Sequence, residues 1–234
     1  MKKFDLLLFF TIILLCLSCS QDDEPIIDET ATENFVFTDA QKYYLEVGLG
    51  TEFGNSTDRL KKWGNDLRIF VNHENQNELV EELDLIIEEI NDISGSTKLY
   101  IVSSIEMSNF VVFLSDAATY ASFEPAAETF IEDNWGVFWL KWNSGCMIRS
   151  GSMYVDINRT GDIDCQKHLL REELTQSLGL MTDSDSYDDS IFYQPWSCGT
   201  TYSEIDKEIL NIHLDSRVKA GMTSDDIFNL FKEF

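Results

Sequence analysis

In the stretch NELVEELDLIIEEINDIS (residues 77–94), apolar side chains fall at Leu79, Val80, Leu83, Ile86, Ile87 and Ile90. That is the 3.6-residue period of an amphipathic helix with one buried stripe. Residues 39–53, DAQKYYLEVGLGTEF, read as an earlier helix, with an Asp cap and glycines near its end. Between the two, DLRIFV (66–71) alternates and is β-branched enough for a strand. KLYIVS (98–103), SNFVVFLS (108–115), VFWLKWN (137–143) and SMYVDINR (152–159) are further strands. Residues 117–134 read as mixed, with a helix after Pro125. HLLREELTQSLGL (168–180) is a central helix. SEIDKEILNIHLD and TSDDIFNLFKEF form a helical C-terminal tail, the second capped by Thr223 or Ser224. Helix, strand, helix, several strands and then helices predict an α+β fold, a mixed β-sheet backed by helices. Residues 39–234 are enough for one sizeable core and few for two, so a single domain is expected.

The start of the chain reads differently. Two lysines precede an apolar run over residues 6–17, and Ser18-Cys19 follows. The run is short for a bilayer span and has the layout of a secretory signal. The cysteine makes residues 1–18 resemble a bacterial lipoprotein signal, with acyl chains on Cys19 as the tie to a membrane; Cys16 stands where such signals usually carry Leu. SQDDE after Cys19 resembles the acidic tag of surface-exported lipoproteins of Bacteroidota-type bacteria. Residues 19–38 are rich in acids and hold no basic residue, as in a disordered tether. The expected location is the cell envelope, as an outer-membrane lipoprotein facing the surface or the periplasm.

The net charge is −25. Losing residues 1–18 removes Lys2, Lys3 and Asp5, so −25 becomes −26. Such a surface repels nucleic acid and anionic lipid and suits solubility or cation binding. With Cys19 lipidated, Cys146, Cys165 and Cys198 remain in an oxidising compartment, one pair and one odd thiol. Sequence alone leaves the pairing open. Cys146–Cys165 is the favoured bridge, because those two flank SMYVDINR and would tie that strand to the central helix.

That helix carries the candidate chemistry. On a helical wheel Leu170, Leu174, Leu178 and Met181 form one stripe, while His168, Glu172 and Gly179 lie opposite, with Gln176 beside them. EELTQSLG has the spacing of the zinc helix HExxHxxG, with Glu172 and Gln176 in place of both histidines. In that motif two imidazoles hold the ion, the Glu activates its water, and the Gly lets the chain turn toward a third ligand. Glu173 occupies the general-base position, Gly179 the turn, and Thr182 the third-ligand position, just before Asp183 and Asp185. Gln176 and Thr182 are poor zinc ligands. A shifted register, His168 and Glu172 with Asp183 or Asp185 folding back, would offer one nitrogen and two oxygens.

These residues, with DSDSYDDSIF and EIDKEILNIHLDSRVKAGMT, resemble an uncharacterised bacterial family of secreted proteins and lipoproteins, a domain of unknown function. Its marks are an EExxQxLGL helix, an acidic loop leading to DSIF, and a helix ending in a DxRxxxGM turn. YYLEVGLGTEFG and RLKKWGNDLRIFV also resemble its opening. The resemblance implies a zincin-like fold, related to zinc metallopeptidases, in which Glu172, Glu173 and Gln176 occupy the old motif. Two functions follow from different classes. One is a binding or structural protein for peptide or envelope polymers. The other is a metal-dependent, peptidase-like hydrolase with Glu173 as base and His168, Glu172, Gln176, Asp183 and Asp185 as the pool of metal ligands.

No cofactor is expected; zinc at the helix or calcium in an acidic loop are the ions these residues could take. DINRTGDID (156–164) imitates a calcium loop but has Lys167 at its twelfth position. DSDSYDDS (183–190) packs four acids into one loop. His73 and His213 stand alone and read as surface or satisfied histidines. Trp135, Trp139 and Trp142 surround one strand, where core packing is the commoner use and a sugar-binding face the rarer.

Overall fold

The structure is a computed structural model that describes residues 35–50 and 58–233. The signal segment, Cys19 and most of the acidic tether lie outside the described residues, as do residues 51–53 of the first expected helix and Phe234.

One six-stranded sheet organises the domain. Its strands are β1 (Lys62–Trp63), β2 (Leu67–His73), β3 (Leu99–Ile101), β4 (Phe110–Ser115), β5 (Gly136–Trp142) and β6 (Met147–Asp156). The order β1-β6-β4-β2-β3 is parallel throughout, and β5 runs antiparallel along the other side of β6. The helices are α1 (Asp39–Gly48), α2 (Asn77–Ile93), α3 (Ala117–Phe123), α4 (Glu128–Ile131), α5 (Ile163–Gln176), α6 (Glu204–His213) and α7 (Ser224–Phe231). The fold is α+β, as the element order implies. Among the described residues no helix is long and apolar enough to cross a membrane.

The apolar run of β4 is continuous because both of its faces are covered. Phe110, Val112 and Leu114 meet the main core with the stripes of α2 and α5; Val111 and Phe113 meet a smaller cluster with Tyr120 of α3 and Ile131 of α4. The α2 periodicity buries Leu79, Leu83, Ile86, Ile87 and Ile90 as expected. Leu170, Leu174 and Leu178 are at most 1% exposed, so the apolar stripe of the central helix is core. Capping fixes several starts. Thr38 and Gln41 form a reciprocal box at α1, Ser203 and Asp206 at α6, and Thr223 and Asp226 at α7. Phe35 and Phe37 already pack edge-on against Phe228 of α7.

Buried polar groups hold α5 in place. The Arg171 guanidinium is bonded to Glu82 and Glu89 of α2 and lies 4.6 Å from the centre of the Tyr202 ring. After the helix ends, Trp63 donates to the Ser177 carbonyl and His213 contacts the Leu178 carbonyl. Gly179 then turns with φ +123°, and a Cβ there would stand 2.1 Å from the Lys61 carbonyl oxygen. Only glycine satisfies both the left-handed backbone and that approach.

Five features differ from the expectations or were not foreseen, the first being that Thr38 and not Asp39 caps α1. A helix, α3, precedes Pro125 as well as following it. The two-residue β1 has too little pattern to be seen in sequence. β6 begins at Met147, five residues before the expected SMYVDINR. The Cys146–Cys165 bridge is overturned: Cys165 is bonded to Cys198, and Cys146 is free and buried. The longer strand is the reason. Cys146 sits before one end of β6 and Cys165 beyond the other, and ten extended residues separate the ends by about 30 Å. Bridged cysteines need Cα atoms within about 7 Å.

Candidate functional site

α5 presents its polar side to a cavity of about 450 Å³. The floor is His168, Glu172, Glu173 and Gln176. One wall is the segment entering and beginning β5, with Asp133, Trp135, Gly136 and Phe138. The facing wall is the loop with Tyr193, Trp196 and Ser197, and Asp183 lies at the far end of α5. The Cys165–Cys198 bridge clips this loop to the first turn of α5. Trp196 is 57% exposed and meets Trp135 edge-on, with ring centres 5.0 Å apart.

His168 is oriented from both sides. Its Nδ1 lies 2.6 Å from the Gly199 carbonyl oxygen, which can only accept, so that nitrogen carries the hydrogen. Nε2 is therefore turned to Ser197 Oγ at 3.2 Å and Glu172 Oε2 at 3.4 Å. Burial opposes charging of the ring, but the Glu172 carboxylate and the Gly199 carbonyl outweigh it and raise the pKa. One turn on, the Gln176 amide donates to Asp183 Oδ1 at 2.5 Å. Burial and the neighbouring Glu172 push the Asp183 carboxyl up to about 7, against the lowering effect of that bond. Glu173 lies against the β5 backbone: a Cβ on Gly136 would be 2.5 Å from its Oε1. Glycine at 136 is what lets the strand approach this carboxylate.

β5 is paired on one edge only among the described residues. The Asp156 amide donates to the Trp135 carbonyl. The antiparallel alternation then directs the amides of Val137 and Trp139 to β6 and turns those of Gly136 and Phe138 to the open edge. Both outward residues line the cavity.

The chain thus gathers His168, Glu172, Glu173, Gln176 and Asp183 in one place. Asp185 is exposed and does not line the cavity. The Thr182 hydroxyl is buried without a hydrogen-bond partner. Among the described residues, no three His, Cys, Asp or Glu side chains form a group arranged to hold a metal ion. In the calcium-like loop, Arg159 Nε lies 2.7 Å from Asp156 Oδ2, so a guanidinium occupies the carboxylate. Asp162 caps α5 instead. In the loop after α5, Ser190 and Ile191 are bonded to the buried Asp206, and Ser184 to Glu46. Asp185, Asp188 and Asp189 are left facing solvent.

His73 is exposed and His213 is fully buried between Tyr44 and Leu178. The tryptophans divide: Trp135 lines the cavity, Trp139 packs near Phe130 on the other sheet face, and Trp142 is exposed. Sequence reasoning missed Gly136, Tyr193 and Trp196. The one signal that pointed to the loop of Tyr193 and Trp196 was the odd cysteine, Cys198; none pointed to Gly136.

Residues 38–233 match the family described as Protein of unknown function (DUF2927). The chain belongs to this family. The matched span covers every wall of the cavity, so the site is built within the family domain. No curated protein matches the chain. The family description carries no activity, and the chemistry of the chain lies in the site and not in the fold.

Proposed function

We propose that this family member is an envelope lipoprotein, tied to the outer membrane by acyl chains on Cys19. Its domain, a zincin-like scaffold without the standard zinc ligands, binds an extended peptide in the cavity between α5 and β5. One observation carries the peptide reading. Among the described residues β5 has an open edge whose outward amides, at Gly136 and Phe138, belong to residues lining the cavity. An extended segment can add there as a strand, taking affinity from its backbone and selectivity from alternate side chains. Phe138→Pro tests this: it deletes an outward N–H while sparing the ladder to β6, and proline is tolerated at such edge positions. It should lower the affinity for extended peptides at least tenfold without altering the circular dichroism of the fold. Unchanged peptide affinity, or tight binding of glycans in place of peptides, would overturn the reading. The anchor is tested apart, since Cys19→Ser should move the protein from the membrane fraction to the soluble one.

A second reading rests on His168. With Nδ1 held by a carbonyl and Nε2 facing Glu172, it is oriented as ligating histidines are by their outer partners. The family member would then be a metal-dependent hydrolase with Glu173 as general base, and Asp183 would have to move in to join His168 and Glu172, since these three do not form a metal-holding group as they stand among the described residues. Elemental analysis of chain purified without chelator or affinity metal separates the two. About one zinc per chain, lost in Glu172→Ala/Gln176→Ala, favours the hydrolase. No metal, with an unchanged melting curve after zinc addition, favours the binding module.

A further inference from the structure

The cavity is chemically one-sided. Asp133, Glu172, Glu173 and Asp183 contribute four carboxyl groups, and among the described residues no Lys or Arg lines it. Its one basic side chain, His168, already donates from Nδ1 to a carbonyl and faces Glu172 with its other nitrogen. Trp135 and Trp196 supply aromatic faces at the mouth. Carboxylates behind aromatic rings are the surroundings that desolvate a cation well, by ion pairing at the head and cation–π contact along the stem. The chain as a whole, at −25, draws positive ligands from a distance.

We infer that the site selects a basic side chain: the bound strand inserts a Lys or Arg against Trp135 and Trp196, with its cationic head on Glu172 and Asp183. This rests on the peptide reading above and names the ligand class. The spacing follows from the strand register. A residue pairing beside Gly136 or Phe138 has its side chain on the sheet face that carries α5, the face on which Gly136 meets Glu173. Residues immediately before and after it point away, so the basic position should be one of the two alternate residues that face Gly136 and Phe138.

The test uses the full-length chain in detergent and three extended peptides of one sequence, differing at a central Lys, Gln or Glu. Affinity is read by calorimetry and by tryptophan fluorescence. The Lys peptide should bind at least tenfold tighter than the Gln peptide, and the Glu peptide weakest. In Glu172→Gln, and separately in Asp183→Asn, the Lys preference should shrink to less than threefold. Two variants are used so that a folding defect in one, seen by circular dichroism, does not end the comparison. Equal affinity for all three peptides would overturn the basic-residue inference and leave the peptide reading standing. Binding of none of them would sink both.

Discussion

The Cys165–Cys198 bridge closes a loop of 33 residues that contains the whole facing wall of the cavity. The chain-entropy estimate for such a loop is about 3.7 kcal/mol at 25 °C. For a domain of this size each kcal/mol moves Tm by about 2–4 °C, so opening the bridge should lower Tm by about 7–15 °C. Cys165→Ala/Cys198→Ala, compared with the parent by calorimetry with and without reductant, measures this directly. The parent should fall to the variant's Tm when reduced, and the variant should not respond to reductant. Cys146→Ala should keep the full response, because Cys146 lies beside β1 at the other end of β6. The loss should also reach the site: without the clip, Gly199 is freed from His168 Nδ1, and Trp196 fluorescence should shift toward that of a solvated indole. The pairing is refuted if Cys146→Ala abolishes the reductant response. The stabilising role is refuted if the double variant melts within about 2 °C of the parent.

Three further outcomes follow from buried groups. Gly179→Ala forces a side chain into a left-handed backbone, which alone costs about 1–3 kcal/mol, and drives its Cβ onto the Lys61 carbonyl; chemical denaturation should show a larger loss than that strain alone, and a neutral result would deny the close approach. His213 is buried, and its pKa is lowered to about 3 by burial and by Lys62. The unfolded chain therefore takes up a proton below about 6.5 that the folded chain refuses, and His213 costs stability progressively as pH falls from about 6.5 toward about 3. His213→Gln should show a smaller loss between pH 7 and pH 4 in urea midpoints, and an equal loss would place the acid sensitivity elsewhere. Arg171→Ala leaves Glu82, only 11% exposed, without its cation and should cost about 3 kcal/mol, while Glu89 can turn to solvent; a cost under about 1 kcal/mol would show that α2 and α5 do not depend on this contact.

Much of this protein is legible along its sequence because local physics writes it there. The stripe of α2 repeats every turn because one side faces a core. The apolar run of β4 is unbroken because both faces are covered. Thr223 with Asp226, and Gly179 after α5, are what a helix start and a sharp turn require. The polar side of α5 also comes from spacing alone, since His168, Glu172 and Gln176 lie a turn apart. Tertiary structure decided what that side faces. Trp196 comes to Trp135 from 61 positions away along the chain, and Gly136 admits Glu173 through a gap with no sequence pattern. The disulfide partner was equally hidden, because it depends on where two loops end and on how long β6 runs. Periodicity records which side of an element is wet. Which two distant elements close over that side is set by the summed packing of the whole sheet and its helices, and no single stretch of sequence carries it.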